Sequence, residues 1–134
     1  MTWSDALVQV AKGWADTLES QSCAFYHSGN HLYGENIAQG TQDLAGAIDL
    51  FLTEKAKYIF ALSCAKDVAD QIPAFSYSGQ SIGQGNFGSY GHYTQIVWRS
   101  TTEVGCYYES KCKTTVCNYR YLSRPCKSAP VDLC

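Results

Sequence analysis

The chain has 134 residues, of which 46% are hydrophobic and 13% aromatic. This suits a single domain with a substantial buried core and excludes a disordered tail. The formal net charge of −2 argues against electrostatic capture of nucleic acid or of acidic membranes, and no apolar run approaches the ~18–20 residues that cross a bilayer. Seven cysteines, none spaced Cys-x-x-Cys, point to disulfides in an oxidising compartment rather than to a zinc ribbon or a redox site. The opening "MTWSDALVQV" is acidic and amphipathic, unlike a leader. The expectation is therefore a mature, secreted, extracellular, monomeric protein with no transmembrane segment. It carries no Asn-x-Ser/Thr site for N-glycosylation.

Ser4 to about Ser20 reads as an amphipathic helix, with Leu7, Val10, Ala11, Trp14 and Leu18 on one face. Ser4 is the expected N-cap and Asp5 suits the first turn. A turn-rich segment, "SQSCAFYHSGNHLYGEN", follows. A second helix is expected from about Thr41 to Phe60, its stripe formed by Leu44, Ala47, Ile48, Phe51 and Lys55 and widened by Leu52 and Ile59. A shorter one covers Ser63 to Gln71 and stops at Pro73. From Ala74 to Gly91 the chain is poor in aliphatics and sets Phe75, Tyr77, Phe87 and Tyr90 among glycines. A loop this long in a compact domain is usually functional or disordered.

The C-terminal part reads as a hairpin, "EVGCYYES" and "TTVCNYRY", turning near Lys111 and Cys112. That register sets Cys106 opposite Cys117. Opposed strand residues lie about 4.5–5.5 Å apart at Cα, within the range a disulfide requires. A Cys106–Cys117 bridge therefore follows from register alone. The tail, about 122–134, looks irregular and disulfide-stapled. No internal repeat or second domain is apparent, so residues 1–134 read as one domain.

Several of these stretches, in the same order, resemble one family. "GHYTQIVWRSTTEVGC" is similar to the first signature of the CAP superfamily: cysteine-rich secretory proteins, antigen five and pathogenesis-related protein one. "TVCNYRY" resembles the start of the second signature. The segment from Trp3 to Ser28, "YGENIA" and "TEKAKY" also match. The resemblance implies an α+β fold, an α-β-α sandwich in which a small, mainly antiparallel sheet lies between helical layers. It implies that "HYTQ" is a short helical turn leading into a strand, and that Cys23 pairs with Cys112. It further implies a cleft lined by His27, Glu35, Glu54 and His92. The chain departs from the pattern in three places: the family's helix ahead of the Trp3 segment is missing, "RYLSRPCK" stands where Pro-x-Gly-Asn is usual, and Tyr90 stands where plant members often have cysteine. The last departure suggests a fungal or animal-like branch.

Two imidazoles and two carboxylates in one cleft suit a divalent cation, zinc or magnesium, although no cofactor is required. They also suit acid–base chemistry. Glu35 has a competing structural role, holding backbone N–H groups and orienting a histidine, and Glu54 on a helix has one as a solvated residue. His31, among turn residues, reads as surface. No Gly-x-Ser-x-Gly or His-Glu-x-x-His is present, and neither Ser89 nor Ser100 lies in an activating motif.

The resemblance favours binding over turnover. Family relatives bind sterols and fatty acids through the loop ahead of Gly-His, here Phe75, Tyr77, Ile82, Phe87 and Tyr90. That loop lacks the proline common in strong sterol binders, so fatty acid is the expected ligand and sterol binding is expected to be weak. The function expected is that of a secreted, non-enzymatic, defence- or virulence-related protein binding a small apolar ligand. The alternatives are a metal-dependent hydrolase or protease using the His/Glu cleft, and a protein-interaction module using the ten tyrosines. Cys64, Cys126 and Cys134 cannot all pair within the chain; Cys126–Cys134 with Cys64 buried is the preferred arrangement.

Overall fold

The computed structural model describes residues 1–57 and 91–121. The expected helix over 63–71, the loop from 74 to 90, and Cys64, Cys126 and Cys134 lie outside the described residues. Within them the order is β1 (Thr2–Trp3), α1 (Asp5–Ser20), β2 (Gly34–Gln39), α2 (Leu44–Thr53), a 3-10 turn (Glu54–Lys57), α3 (Gly91–Ile96), β3 (Thr101–Glu109) and β4 (Thr114–Tyr121).

The four strands form one sheet in the order β1-β3-β4-β2. Only the short β1 runs parallel to its neighbour; β3/β4 and β4/β2 are antiparallel. The period-two alternation of the strands sends side chains to two separate cores. On one face Ile37 and Val116 pack with Ala11, Ala15 and Leu18 of α1. On the other, Ala38, Cys106, Cys117 and Tyr119 pack with Ala47 and Phe51 of α2, and Ile96 of α3 adjoins them. This is the α-β-α sandwich that the sequence motifs imply.

Helix α1 buries the predicted face, with Leu7, Ala11, Ala15 and Leu18 at its centre and Val10 and Trp14 at its flanks. Ser4 is the N-cap residue, but its side chain makes no capping bond. Its extended backbone is committed instead: its N–H donates to the Val104 carbonyl at 2.9 Å, and its own carbonyl accepts from Val8 N–H at 3.0 Å. The chain thus leaves the sheet and enters the helix within one residue. This is feasible because of Gly105. A Cβ at that position would lie 2.4 Å from the Val8 nitrogen, 2.6 Å from the Leu7 carbonyl carbon and 2.6 Å from the Ser4 carbonyl oxygen. All three are backbone atoms, so no rotamer change relieves the clash.

Helix α2 is shorter than its hydrophobic pattern predicts. It starts at Leu44 because Asp43 caps it, the carboxylate accepting from Gly46 N–H at 2.8 Å. After Thr53 it tightens into the 3-10 turn, and the predicted end at Phe60 lies outside the described residues. Leu52 and Lys55 are exposed and do not join the buried stripe, which is carried by Ala47 and Phe51. Leu52 lies on the outer side of α2 itself and Lys55 on the 3-10 turn that follows.

The hairpin has the predicted register, Cys106 opposite Cys117, and both expected disulfides form, Cys106–Cys117 and Cys23–Cys112. The buried carboxylate of Glu109 closes the turn by accepting from the backbone N–H groups of Lys111 at 2.8 Å and Cys112 at 2.6 Å. No helix among the described residues is long and apolar enough to cross a membrane.

Two glycine-to-alanine substitutions should act in opposite directions in urea unfolding. Gly105→Ala forces α1 off the sheet and should cost about 3 kcal/mol. Gly13→Ala, in mid-helix with nothing within 4 Å of an added Cβ, should stabilise by about 0.5–1 kcal/mol.

Candidate functional site

The four residues singled out by the motifs form two pairs built on one plan. Glu35 Oε1 lies 2.8 Å from His27 Nδ1 and accepts from Ser28 N–H at 2.9 Å. Glu54 Oε1 lies 2.7 Å from His92 Nδ1, and its Oε2 accepts from Tyr93 N–H at 3.1 Å. Each carboxylate thus holds an imidazole together with the backbone N–H of the residue that follows it. An ionised carboxylate can only accept, so Nδ1 carries the proton in both rings. In the neutral imidazole, Nε2 is then left with a free lone pair. The acids are the more buried partners: the Glu35 and Glu54 side chains are 6% and 14% exposed, those of His27 and His92 47% and 34%. The carboxylates sit behind the rings, and the rings face outward.

Local structure explains both placements. His27 follows an extended stretch fastened to α1, where Trp14 Nε1 donates to the Tyr26 carbonyl at 3.1 Å and the Trp14 and Tyr26 rings meet edge to face at 5.2 Å. Beyond it the chain turns: Asn30 N–H donates to Ser28 Oγ, and Leu32 N–H to Asn30 Oδ1. His31 lies exposed in that turn, as expected. Glu54 opens the 3-10 turn after α2, and the buried Phe51, one helical turn earlier, stacks on the His92 ring with centroids 4.7 Å apart at 20°. His92 is fixed from below by an aromatic face and from the side by a carboxylate.

Burial pushes the Glu35 carboxyl pKa up, but the hydrogen bonds from His27 and Ser28 outweigh that effect and hold it below the ordinary glutamate range. Burial likewise pushes the Tyr119 phenol up, against a hydrogen bond from Asn36.

Sequence reasoning missed Asn36. Its Nδ2 donates to the His92 carbonyl at 3.1 Å and to the Tyr119 hydroxyl at 3.0 Å. A buried amide within the apolar run of "ENIAQ" was the available signal, since a polar side chain kept in a strand core normally has fixed partners. Phe51 was placed in the core stripe but not recognised as the platform for His92. Among the described residues no group of three or more His, Cys, Asp or Glu side chains is gathered closely enough to hold a metal ion. The predicted apolar-ligand residues Phe75, Tyr77, Ile82, Phe87 and Tyr90 lie outside the described residues.

Comparison with known proteins agrees with the motifs. The sequence model of the cysteine-rich secretory protein family, CAP, matches residues 1–119. Pathogenesis-related protein 1 of Arabidopsis thaliana is 32% identical over 108 residues, covering 79% of this chain and 53% of its own length. Protein PRY2 of Saccharomyces cerevisiae is 35% identical over 106 residues, covering 79% of this chain and 25% of its own. Secreted protein RBT4 of Candida albicans is 32% identical over 127 residues, covering 89% and 28%. The chain thus spans about half the length of the plant relative and less of the two fungal ones. With this match running through both histidine–glutamate pairs and the sheet that carries them, the chain belongs to the cysteine-rich secretory protein (CAP) family.

Proposed function

We propose that this chain is the CAP domain of a secreted, defence- or virulence-related protein that works by binding rather than by turnover. In this reading His27 and His92 present Nε2 to a divalent cation. The observation that carries the reading is the repeated carboxylate–imidazole–backbone arrangement, which fixes each ring with its unprotonated nitrogen outward. Metal-binding histidines are commonly oriented in this way. Imidazole nitrogen suits zinc, a borderline-soft ion, and because no group of three or more His, Cys, Asp or Glu side chains is gathered among the described residues, solvent would have to complete the shell. Glu35 and Glu54 orient the rings from behind. The plan also suits a general base, but hydrolysis by a side-chain nucleophile has no support: among the described residues no serine or cysteine side chain is bonded to either imidazole, and the four described cysteines are in disulfides.

The defence- or virulence-related assignment rests on relatives named as pathogenesis-related and secreted, and extracellular location also on the two disulfides. A second reading, carriage of fatty acid and more weakly of sterol, has one observation in its favour. Val97 and Trp98, at the end of α3, expose their apolar side chains on the segment that continues from the candidate loop Phe75 to Tyr90.

Zinc titration calorimetry tests the cation. The His27→Ala/His92→Ala double variant should lose binding, and Glu54→Gln should weaken it by about 10- to 100-fold; wild-type affinity in the double variant rules the reading out. Apolar carriage requires labelled palmitate to co-purify with the protein and to be lost on Phe87→Ala/Tyr90→Ala substitution; palmitate that never co-purifies removes it. The Glu35 carboxyl has a lowered folded pKa, so its contribution to stability is complete above the unfolded glutamate value and is lost as pH falls through the folded one. Thermal melts from about pH 6 down to about pH 2 should show a shallower acid-side decline in Glu35→Gln than in wild type.

A further inference from the structure

Position 35 carries a second feature that neither the imidazole nor a cation accounts for. Glu35 uses only Oε1 in its bonds to His27 and Ser28. Its other oxygen, Oε2, is buried and has no donor among the described residues. The same is true of Asn118 Oδ1, on a residue only 1% exposed. The two residues are cross-strand neighbours. Glu35 of β2 and Asn118 of β4 are directly opposed in the antiparallel ladder, so their side chains leave the sheet on the same face with Cβ atoms about 4.5–5.5 Å apart. The face is that of α1, because Ile37 and Val116, two residues along each strand, pack against that helix.

The amide orientation of Asn118 is fixed by its neighbour. Nδ2 donates to the Gly34 carbonyl at 3.2 Å, and a carbonyl cannot donate in return, so Oδ1 is the atom turned away. Two buried acceptors, one of them charged, therefore sit on directly opposed residues, and neither can supply a hydrogen to the other. Burying such atoms without a donor is costly. A protein donor could satisfy at most one of them unless it carried two hydrogens in the right geometry.

We propose that a single buried water molecule occupies this position, donating one hydrogen to Glu35 Oε2 and the other to Asn118 Oδ1. Water is the smallest group with two such hydrogens, and polar sites of this kind commonly hold one. A metal ion is disfavoured because no group of three or more His, Cys, Asp or Glu side chains among the described residues is gathered to hold one. The water makes the Glu35 carboxylate fully bonded at both oxygens, and it ties the His27 ring through Glu35 to the sheet strand β4. Asn118 becomes a remote support for an imidazole it does not touch. The inference is independent of the cation reading, since the two oxygens require a donor whether or not His27 binds anything.

A crystal structure of the metal-free protein at a resolution that shows ordered solvent tests the water directly. The expected result is one solvent peak within hydrogen-bond distance of both Glu35 Oε2 and Asn118 Oδ1. The proposal is overturned by an empty position, by a protein donor at either oxygen, or by a peak with metal-like coordination. Glu35→Gln supplies the second arm. Its amide oxygen must still face Ser28 N–H, so its nitrogen takes the place of Oε2 and donates to the water, which keeps a hydrogen for Asn118 Oδ1. The solvent peak should then persist while the His27 ring keeps its orientation; a direct bond from the new amide to Asn118 Oδ1, with no peak between, counts against the proposal. Zinc titration of the same variant reads the cation hypothesis separately, so failure of one leaves the other standing or falling on its own result.

Discussion

Strand β2 puts Glu35 and Asn36 next to each other, and these two side chains hold the two histidine segments. Neighbouring residues of a strand point to opposite faces, so the pair works from both sides of the sheet. Glu35 takes the His27 ring and the backbone beside it on the α1 face. Asn36 takes the His92 carbonyl on the face of α2 and α3. Residues far apart in sequence are referred to one short piece of backbone whose Cα atoms are about 3.8 Å apart. Displacing β2 by one residue would exchange the two faces and lose both attachments. The ladder prevents this, because β2 is paired along its whole length with β4, which is itself bonded covalently to β3 through Cys106–Cys117.

The sheet in turn depends on how closely the first helix approaches it. At Gly105 the backbone of α1 and that of β3 are in direct contact, and the Ser4 N–H is bonded to Val104. Leu7, Ala11, Ala15 and Leu18 can be wholly buried against the strands only because no side chain intervenes where the helix begins. The same helix braces Tyr26 through Trp14, one residue before His27. A glycine in one motif and a histidine in another are linked in this way through packing.

What the sequence made legible was largely periodic or local. Hairpin register followed from counting residues about a turn, and it located a disulfide. The buried face of α1 followed from the spacing of Leu7, Ala11 and Leu18. The sandwich and the second disulfide followed from family motifs, as did the choice of His27, Glu35, Glu54 and His92, which the structure shows bonded two by two. Other features were hidden because they depend on contacts between distant segments. Nothing in "DLAGAIDLFLT" by itself shows Asp43 taking over the helix start or the last turn tightening to present Glu54. Nothing in "EVGC" shows what lies above the glycine. Asn36 and Glu109 look like ordinary strand polar residues until their partners are known. One gives both hydrogens of its amide to two separate elements, and the other holds two turn N–H groups.

The bond between Glu54 and His92 has a further consequence for how such a domain can diversify. It joins the last described residues of the α2 region to the first residues of α3, so whatever path residues 58–90 take, they leave and return at a closed stem. Closing a longer excursion over such a stem costs little, about 0.6 kcal/mol for each doubling of its length. Insertions, deletions and wholesale changes of sequence there are therefore cheap for the scaffold, provided the stem stays shut. Sequence and length can change in that stretch while the paired acid and imidazole at its stem remain in place.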